Sequence, residues 1–393
     1  MKESYIGRLI EILIVSLRLG LTSFGGPVAH LGYFREEYVE RRKWLKENEY
    51  ADLVALCQFL PGPASSQVGI GIGIIRAGIP GGIISFLGFT TPSVIILILA
   101  AVGFQQQGWV DIGVVDGLKI VAAAVVAHAI IGMGQNSAPD KLRATIAAAS
   151  FIILILLPQT WMQISVIAGA ALLGIFIYKQ EESGNKASFT VQISQKTAYI
   201  SLGLFFGLLA FLPIVREWTD FLWIQMFDSF YRAGALVFGG GHVVLPLLER
   251  EVVPAGLVTE EIFLAGYGAA QAVPGPLFTF ASYLGMAANG IPGALIATAA
   301  IFLPAFLLVI GTFPFWMKLS TYTKARAALK GVNAAVIGIL LAAFYDPIFT
   351  SAINSVVDLA FAVSLFVLLM YWKVPAWKIV LLGIGGGMLV HFI

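Results

Sequence analysis

Two Pro-Gly-Pro sequences are the residues best suited to do chemistry in this chain. They lie at 61–63 and 274–276, each inside a long apolar stretch. Proline removes a backbone donor and disfavours helix at the residue before it, so a helix must break at both places. A half-helix that restarts at Pro63 or Pro276 presents free backbone amides at its positive end. In lipid such amides need a partner, and an anion is a natural one.

The two restarting half-helices differ in their first turns. The expected free amides belong to Ala64, Ser65 and Ser66 in the first copy and to Leu277, Phe278 and Thr279 in the second. The polar cluster of Ser65, Ser66 and Gln67 has no equivalent in Leu277, Phe278 and Phe280. An anion site built here can therefore be asymmetric.

A second pair of backbone openings is predicted at two Phe-Gly-Gly sequences. Ser23 precedes Phe24, Gly25 and Gly26 in one, and Phe238, Gly239 and Gly240 run on into Gly241 and His242 in the other. One such break is explained well enough as a packing kink, because glycine and proline are common in membrane helices. Four breaks at matching positions favour a substrate site at the bilayer midplane.

Arg18 and Arg232 hold equivalent positions, each about ten residues into an apolar span, where a charge costs about 3 kcal/mol or more. An arginine fork suits the oxygens of a dianion. The alternative is an internal ion pair with Glu11 or Asp228, and the sequence does not decide between the two.

Several other polar residues are candidates for roles near these breaks. Gln58 and Gln271, three residues before each Pro-Gly-Pro, can support freed carbonyl groups or hold a ligand. The preferred proton-coupling candidates are Asp52, Glu37 and Glu251, while Asp116, His128 and His242 are further titratable groups.

The elements that must position these residues belong to a membrane protein. Of 393 residues, 59% are hydrophobic and 12% charged, and the mean hydropathy is +0.89, which favours an all-α polytopic chain in a bilayer. We predict 13 crossings at 9–33, 49–77, 79–105, 112–133, 141–157, 160–178, 197–216, 222–246, 260–289, 291–317, 326–346, 353–372 and 375–392.

The chain contains an internal repeat. The Arg18 to Gly26 segment matches Arg232 to Gly240 at an offset of 214, and the offset falls only to 211 at Lys119 and Lys330. The predicted domains are a first repeat at 1–178, a linker and connecting span at 179–221, and a second repeat at 222–393.

Basic residues in equivalent loops predict that the repeats are inverted. Loops 105–111, 346–352 and 158–159 lack Lys and Arg, whereas their counterparts around 318–330, 141–143 and 373–378 carry them. This pattern places the N-terminus inside and the C-terminus outside, provided that each Pro-Gly-Pro segment crosses once. The basic loop 35–46 disagrees, and its interleaved glutamates suggest an amphipathic helix on the membrane surface.

The composition and the missing motifs argue against a metalloprotein, a nucleic-acid-binding protein, an enzyme and a scaffold. The single cysteine, Cys57, and four scattered histidines disfavour a metal site, no cofactor is indicated, and no basic tract indicates nucleic acid. An enzyme is disfavoured by the lack of an HExxH motif or a nucleophile elbow, and a scaffold by the lack of a soluble domain. A homodimer is expected only on base rates.

The paired motifs resemble the chromate ion transporter family in its long, two-domain form. Phe24-Gly25-Gly26-Pro27 and Gln58-Phe59-Leu60-Pro61-Gly62-Pro63-Ala64, with their counterparts from Phe238 and from Gln271, carry the resemblance over nearly all of the chain. It implies export of chromate across a prokaryotic inner membrane by a proton-driven antiporter, with sulfate as a related oxyanion. A carrier or channel for sulfate or another small anion is the alternative.

Together these arguments predict a substrate site whose members lie at or beside the four breaks. The predicted set is Arg18, Ser23, Phe24, Gly25, Gly26, Gln58, Gly62, Pro63, Ala64, Ser65, Ser66, Arg232, Gly239, Gly240, Gly241, His242, Gln271, Gly275 and Pro276.

Overall fold

The computed structural model describes residues 4–106, 113–157, 159–178, 193–238, 244–316 and 323–391, and within these ranges all regular structure is helical. We number the described helices α1 Tyr5–Thr22, α2 Gly26–Phe34, α3 Glu47–Phe59, α4 Ala64–Gln106, α5 Val114–Ser137, α6 Lys141–Leu156, α7 Thr160–Ile177, α8 Gln195–Trp218, α9 Leu222–Leu236, α10 Val244–Val252, α11 Glu260–Ala270, α12 Phe280–Thr312, α13 Thr323–Ala343, α14 Val356–Met370 and α15 Ala376–His391. The prediction of an all-α chain is confirmed for these ranges.

Both Pro-Gly-Pro sequences interrupt a helix, as predicted. The first lies between the end of α3 and the start of α4, and the second between the end of α11 and the 3-10 turn Leu277–Thr279 that leads into α12. Gly62 and Gly275 have φ values of +117° and +99°. A side chain is strained at such angles, so glycine is required at both positions.

Each restarted helix soon folds back on itself. The φ value is +72° at Gly78 and +64° at Gly290, and the residue before each glycine also leaves the helical region. An added Cβ on Gly73 would lie 2.3 Å from the carbonyl oxygen of Gly81, although a straight helix would hold residues eight apart about 12 Å from each other. An antiparallel helical hairpin therefore follows each break. Its turn, at Gly78 or Gly290, lies between two consecutive predicted crossings.

Five described helical segments are long and apolar enough to cross a membrane, namely 64–104, 114–135, 195–218, 277–315 and 326–352, of which the first and fourth are divided by the turns at Gly78 and Gly290. The chain is thus a multi-pass membrane protein. The full count of 13 crossings and the inverted orientation stay predictions. The basic loop 35–46 forms one continuation of α2 as a π turn over Arg35–Arg41, and Lys43 then adopts a φ of +54°. A helix is thus present over Arg35–Arg41 and the backbone turns at Lys43; the location of this helix on the membrane surface stays a prediction.

The chain divides into two compact units that interleave the two repeats. The first unit comprises Met1–Ile98, Ser183–Gly241 and Val273–Tyr322, and the second comprises Leu99–Glu182, His242–Ala272 and Thr323–Ile393. Within the first unit, α12 packs on α8 and α9; within the second, α5 packs on α11, α14 and α15, and α13 packs on α6 and α7. Each unit takes helices from both sequence repeats, so the repeats are not separate folding bodies.

Candidate functional site

Two equivalent hydrogen bonds join the four helix breaks in the first unit. The amide of Gly62 donates to the carbonyl of Val237 at 2.7 Å, and the amide of Gly275 donates to the carbonyl of Ser23 at 2.9 Å. Val237 is the repeat counterpart of Ser23, and Gly275 is that of Gly62. Each Pro-Gly-Pro loop is therefore held by the Phe-Gly-Gly break of the other repeat.

Side-chain donors also hold each Pro-Gly-Pro loop, by binding the carbonyl group of its first proline. The amide nitrogen of Gln67 donates to the carbonyl of Pro61 at 2.7 Å, and the hydroxyl of Ser93 donates to the carbonyl of Pro274 at 2.6 Å. An unpaired carbonyl is costly away from water, so these bonds let a broken helix exist inside an apolar protein. These hydrogen bonds hold each Pro-Gly-Pro loop in one backbone conformation.

The first half-helix keeps its N-terminal amides free. Among the described residues, no acceptor contacts the amides of Ala64, Ser65 and Ser66. The second half-helix differs, because its 3-10 turn lets the amide of Thr279 donate to the carbonyl of Pro276 at 3.0 Å. The expectation of a free amide at Thr279 was wrong, and the anion-binding geometry of a helix N-terminus is better developed at Ala64.

Buried polar atoms without partners belong to the first turns of this half-helix and to residues linked to it through the contacts of His30. Within the described ranges the orphaned atoms include Ser23 Oγ, His30 Nε2, Ser66 Oγ, Gln67 Oε1 and Thr90 Oγ1. All five residues are at most 2% exposed. Buried polar groups are nearly always hydrogen-bonded, so such a concentration indicates a place for a polar ligand or for water.

His30 and Thr90 are the residues of this cluster that the sequence did not single out, and His30 has the better defined contacts. Its Nδ1 lies 3.4 Å from the hydroxyl of Ser65, and its ring packs edge-on against Phe89 with centroids 5.5 Å apart. The backbone of Ser23 also lies beside the ring. The available sequence signal was its position one turn into α2, immediately after a predicted break.

The two repeated arginines are engaged in ion pairs. Arg18 binds Glu37 and keeps 46% of its side chain exposed. Arg232 binds the fully buried Asp228 through Nε at 3.0 Å and Nη2 at 2.9 Å. The predicted alternative of an internal pair is thus realised for both, with Glu37 in place of Glu11 as the partner of Arg18.

Glu37 is poorly suited to carry protons near neutral pH. Burial alone would raise its pKa, but the hydrogen bond from Arg42 and the charges of Arg18, Arg42 and Arg41 hold the pKa below its ordinary value. Asp52 and Glu251 are partly buried and both have interaction partners. Their roles in coupling stay predictions.

The other predicted site residues are placed less centrally or lie outside the described ranges. Gln58 is exposed on α3, while Gln271 belongs to the second unit and lies beside the hydroxyl of Tyr267. Phe24 and Gly26 are partly buried, and Gly25 is exposed with a φ of +100°. Pro63 and Pro276 are buried at the two restarts. Gly239, Gly240, Gly241 and His242 lie outside the described residues.

The second unit contains a titratable group that sequence reasoning missed. Glu249, near the end of α10, is partly buried and lies outside the helices long enough to cross a membrane. Burial raises the pKa of Glu249 to about 7; Arg250 opposes this effect, and Glu260 and Asp346 add to it. Its carboxyl group changes protonation state in the physiological range.

Comparison with known proteins gives the chain a family. The family described as "Chromate transporter" matches residues 10–175 and again 224–389. The "Chromate transport protein" of Pseudomonas aeruginosa is 28% identical over 84% of this chain and 79% of its own. The "Chromate transport protein" of Cupriavidus metallidurans is 29% identical over 89% and 84%, and the "Probable chromate transport protein" of Synechococcus elongatus is 29% identical over 91% and 88%.

No solved structure gives a significant match to this chain. The family match is repeated, and its two parts begin and end close to the limits of the two predicted repeats. Together with the paired helix breaks, it shows that the chain belongs to the chromate transporter family.

Proposed function

We propose that this protein exports chromate from the cytoplasm across a prokaryotic inner membrane, driven by the proton-motive force. Membership of the chromate transporter family and the names of three relatives support chromate as the cargo. Sulfate has the same charge and tetrahedral shape, so we expect it to compete. A carrier or channel for sulfate or another small anion is the alternative.

The observation that carries the proposal is the free helix N-terminus at Ala64. Three amides and the positive end of the helix dipole meet there, the hydroxyl of Ser66 in the same turn is unpartnered, and His30 contacts Ser65. An oxyanion accepts hydrogen bonds and donates few or none, which matches a set of donors with nothing to donate to. The two interlocked breaks hold these donors in place, which reduces the entropy lost on binding.

Everted membrane vesicles provide the test. Vesicles from an expressing strain should take up labelled chromate above the empty-vector level, excess sulfate should reduce the uptake, and a protonophore should abolish it. Uptake that survives the protonophore would favour a channel or an uncoupled carrier. An absence of chromate uptake with normal protein levels would refute chromate transport.

We further propose that Glu249 is the proton-coupling group. Its carboxyl group titrates near neutral pH, as a proton carrier requires, and the neighbouring charged groups are Arg250, Glu260 and Asp346. Glu260 itself accepts a hydrogen bond from Ser351. Glu37, in contrast, stays ionised among three arginines.

Replacing Glu249 with glutamine should reduce the pH dependence of transport and of stability together, because it removes the contribution of this carboxyl group. Because the folded state raises the pKa from 4.5 to about 7, the carboxyl group favours folding at low pH and loses this effect as pH rises through 7. Relative to the wild type, Glu249→Gln should therefore gain up to about 3 kcal/mol at pH 8 and little at pH 5. Thermal unfolding and chromate uptake between pH 5 and 8 measure both effects.

Glu37→Gln is the matched control. The pKa of Glu37 is lowered, so this carboxylate stays ionised across the same pH range, and its loss should weaken the protein equally at pH 6 and pH 8. If Glu249→Gln keeps the wild-type pH profile of uptake, Glu249 is not the coupling group.

A further inference from the structure

Among the described residues, the buried polar side chains with unpartnered atoms beside the interlocked breaks belong to the first repeat. Ser23, His30, Ser65, Gln67 and Thr90 are buried in the first unit. Their repeat counterparts, at offsets of 214 to 212, are Val237, Val244, Phe278, Phe280 and Phe302. Ser66 alone has a hydroxyl counterpart, Thr279, and the hydroxyl of Thr279 is already used by the carbonyl of Pro276 at 2.6 Å.

The backbone follows the same division. The first repeat offers an α-helical N-terminus with three unpartnered amides, whereas the second begins with a 3-10 turn that uses one of its own. The hydrogen bonds that join the breaks are nevertheless equivalent in the two repeats. The two repeats therefore share the hydrogen bonds that join the breaks, but they differ in the number of unpartnered hydrogen-bond donors.

Contacts of His30 and adjacency in the chain link the residues of the first repeat that carry unpartnered donors. His30 contacts Ser65 through Nδ1, which leaves Nε2 unpartnered, and the next residue, Ser66, has an unpartnered hydroxyl. Thr90 follows Phe89, whose ring contacts His30, and its hydroxyl is also unpartnered. The backbone of Ser23 lies beside the ring of His30, and the hydroxyl of Ser23 is also unpartnered.

We infer that a tetrahedral divalent oxyanion is bound by the first repeat alone, with His30 Nε2 and Ser66 Oγ as side-chain donors beside the Ala64 helix N-terminus. The inference rests on the proposed function and adds to it the residues that hold the anion. The second repeat then supplies the mirrored framework and an apolar wall that includes Phe278 and Phe302, which are 1% exposed and packed together at 6.0 Å. A wall of this kind keeps competing water away from the donors.

Ser66→Ala and Thr279→Val form the matched pair that tests the inference. Both remove a hydroxyl from the first turn of a restarted half-helix, one in each repeat. Binding of sodium chromate and of sodium sulfate to the purified full-length protein, by calorimetry in detergent or nanodiscs, is the readout. We expect Ser66→Ala to weaken binding about tenfold, as loss of one hydrogen bond to a charged group predicts, and Thr279→Val to stay within about twofold.

His30→Val, which copies the second repeat, should weaken binding by at least about tenfold, since a donor is lost and neighbouring groups are left unsatisfied. His30→Gln keeps an N–H donor and should recover part of the affinity. Thermal unfolding of each variant separates a loss of binding from a loss of fold. Should His30→Val fail to fold, the His30→Gln and Ser66→Ala affinities still decide.

The outcomes distinguish failure of the proposed chromate transport from failure of the one-sided anion site. If the wild type neither binds nor transports chromate, the proposed function fails. If the wild type binds but Ser66→Ala and Thr279→Val lose equal affinity, or if only Thr279→Val loses it, the one-sided site is overturned while transport stands. Unchanged affinity in both His30→Gln and Ser66→Ala also overturns it.

Discussion

Gly275→Ala is expected to prevent stable folding of the second Pro-Gly-Pro loop and to abolish transport. The φ value of +99° is unfavourable for alanine, at a cost of about 1–3 kcal/mol. The new Cβ would also lie 2.2 Å from the hydroxyl oxygen of Ser93, which is fully buried and donates to Pro274. Displacing Ser93 leaves the Pro274 carbonyl unpaired and adds about 1–3 kcal/mol. Thermal unfolding and vesicle uptake are the measurements.

Three comparison variants identify the cause of this loss. Gly203→Ala, on α8 with no atom near the added methyl group, should be neutral or slightly stabilising. Gly62→Ala, at the equivalent repeat position, places its Cβ 2.9 Å from the amide nitrogen of Gln67, a milder overlap than the 2.2 Å at Gly275, and should be less damaging than Gly275→Ala. Adding Ser93→Ala to Gly275→Ala removes the clash and leaves the backbone strain. A Gly275→Ala protein as stable as the wild type would contradict the argument.

The location of the breaks could be predicted from the sequence because it follows from local chemistry. Two prolines around a glycine cannot continue a helix. That rule alone predicts that α3 ends near 59, that α4 begins near 64 and that α11 ends near 270. The repeat was equally accessible, since it depends only on residue identity. The hydrogen bonds from Gly62 to Val237 and from Gly275 to Ser23 were not, because pairing between distant breaks depends on tertiary packing.

The composition of the site was predicted only in part. Ser65 and Ser66 were recognised because they occupy the first turn after a proline, where the backbone geometry is known in advance. His30 was missed because a histidine in an apolar stretch gives no local indication of which neighbour it meets. The 3-10 turn at Leu277 was also unforeseen, since two equivalent Pro-Gly-Pro sequences gave no reason to expect different first turns.

The two arginines show why sequence spacing alone could not distinguish an anion-binding arginine from one in an internal ion pair. Arg18 and Arg232 hold equivalent positions, yet one pairs with a residue nineteen positions later and the other with Asp228, four positions earlier on the same helix. Only the second partner is visible from helical periodicity. Because both guanidinium groups already face carboxylates, the amides and hydroxyls near Ala64 are better placed to accept a new anion.

Asp228→Ala is expected to destabilise the protein by about 3–5 kcal/mol, the usual loss when one member of a buried ion pair is removed. The carboxylate of Asp228 is fully buried and is contacted by both Arg232 and Arg216, the latter at 3.2 Å. Its removal leaves two partly buried positive charges without this counter-ion. Glu37→Ala should cost less, since Arg18 is 46% exposed and solvent can compensate it.

The double variant Asp228→Leu with Arg232→Leu decides what Arg232 does. Apolar residues of similar size often replace a buried ion pair at little cost, so the double variant, which leaves only Arg216 without the Asp228 carboxylate, should be more stable than Asp228→Ala, which leaves both arginines without it. If Arg232 serves only the fold, chromate affinity should return to near the wild-type value along with stability. If Arg232 is an anion ligand, stability should recover while affinity stays reduced, which would move the binding site from the Ala64 helix N-terminus toward α9.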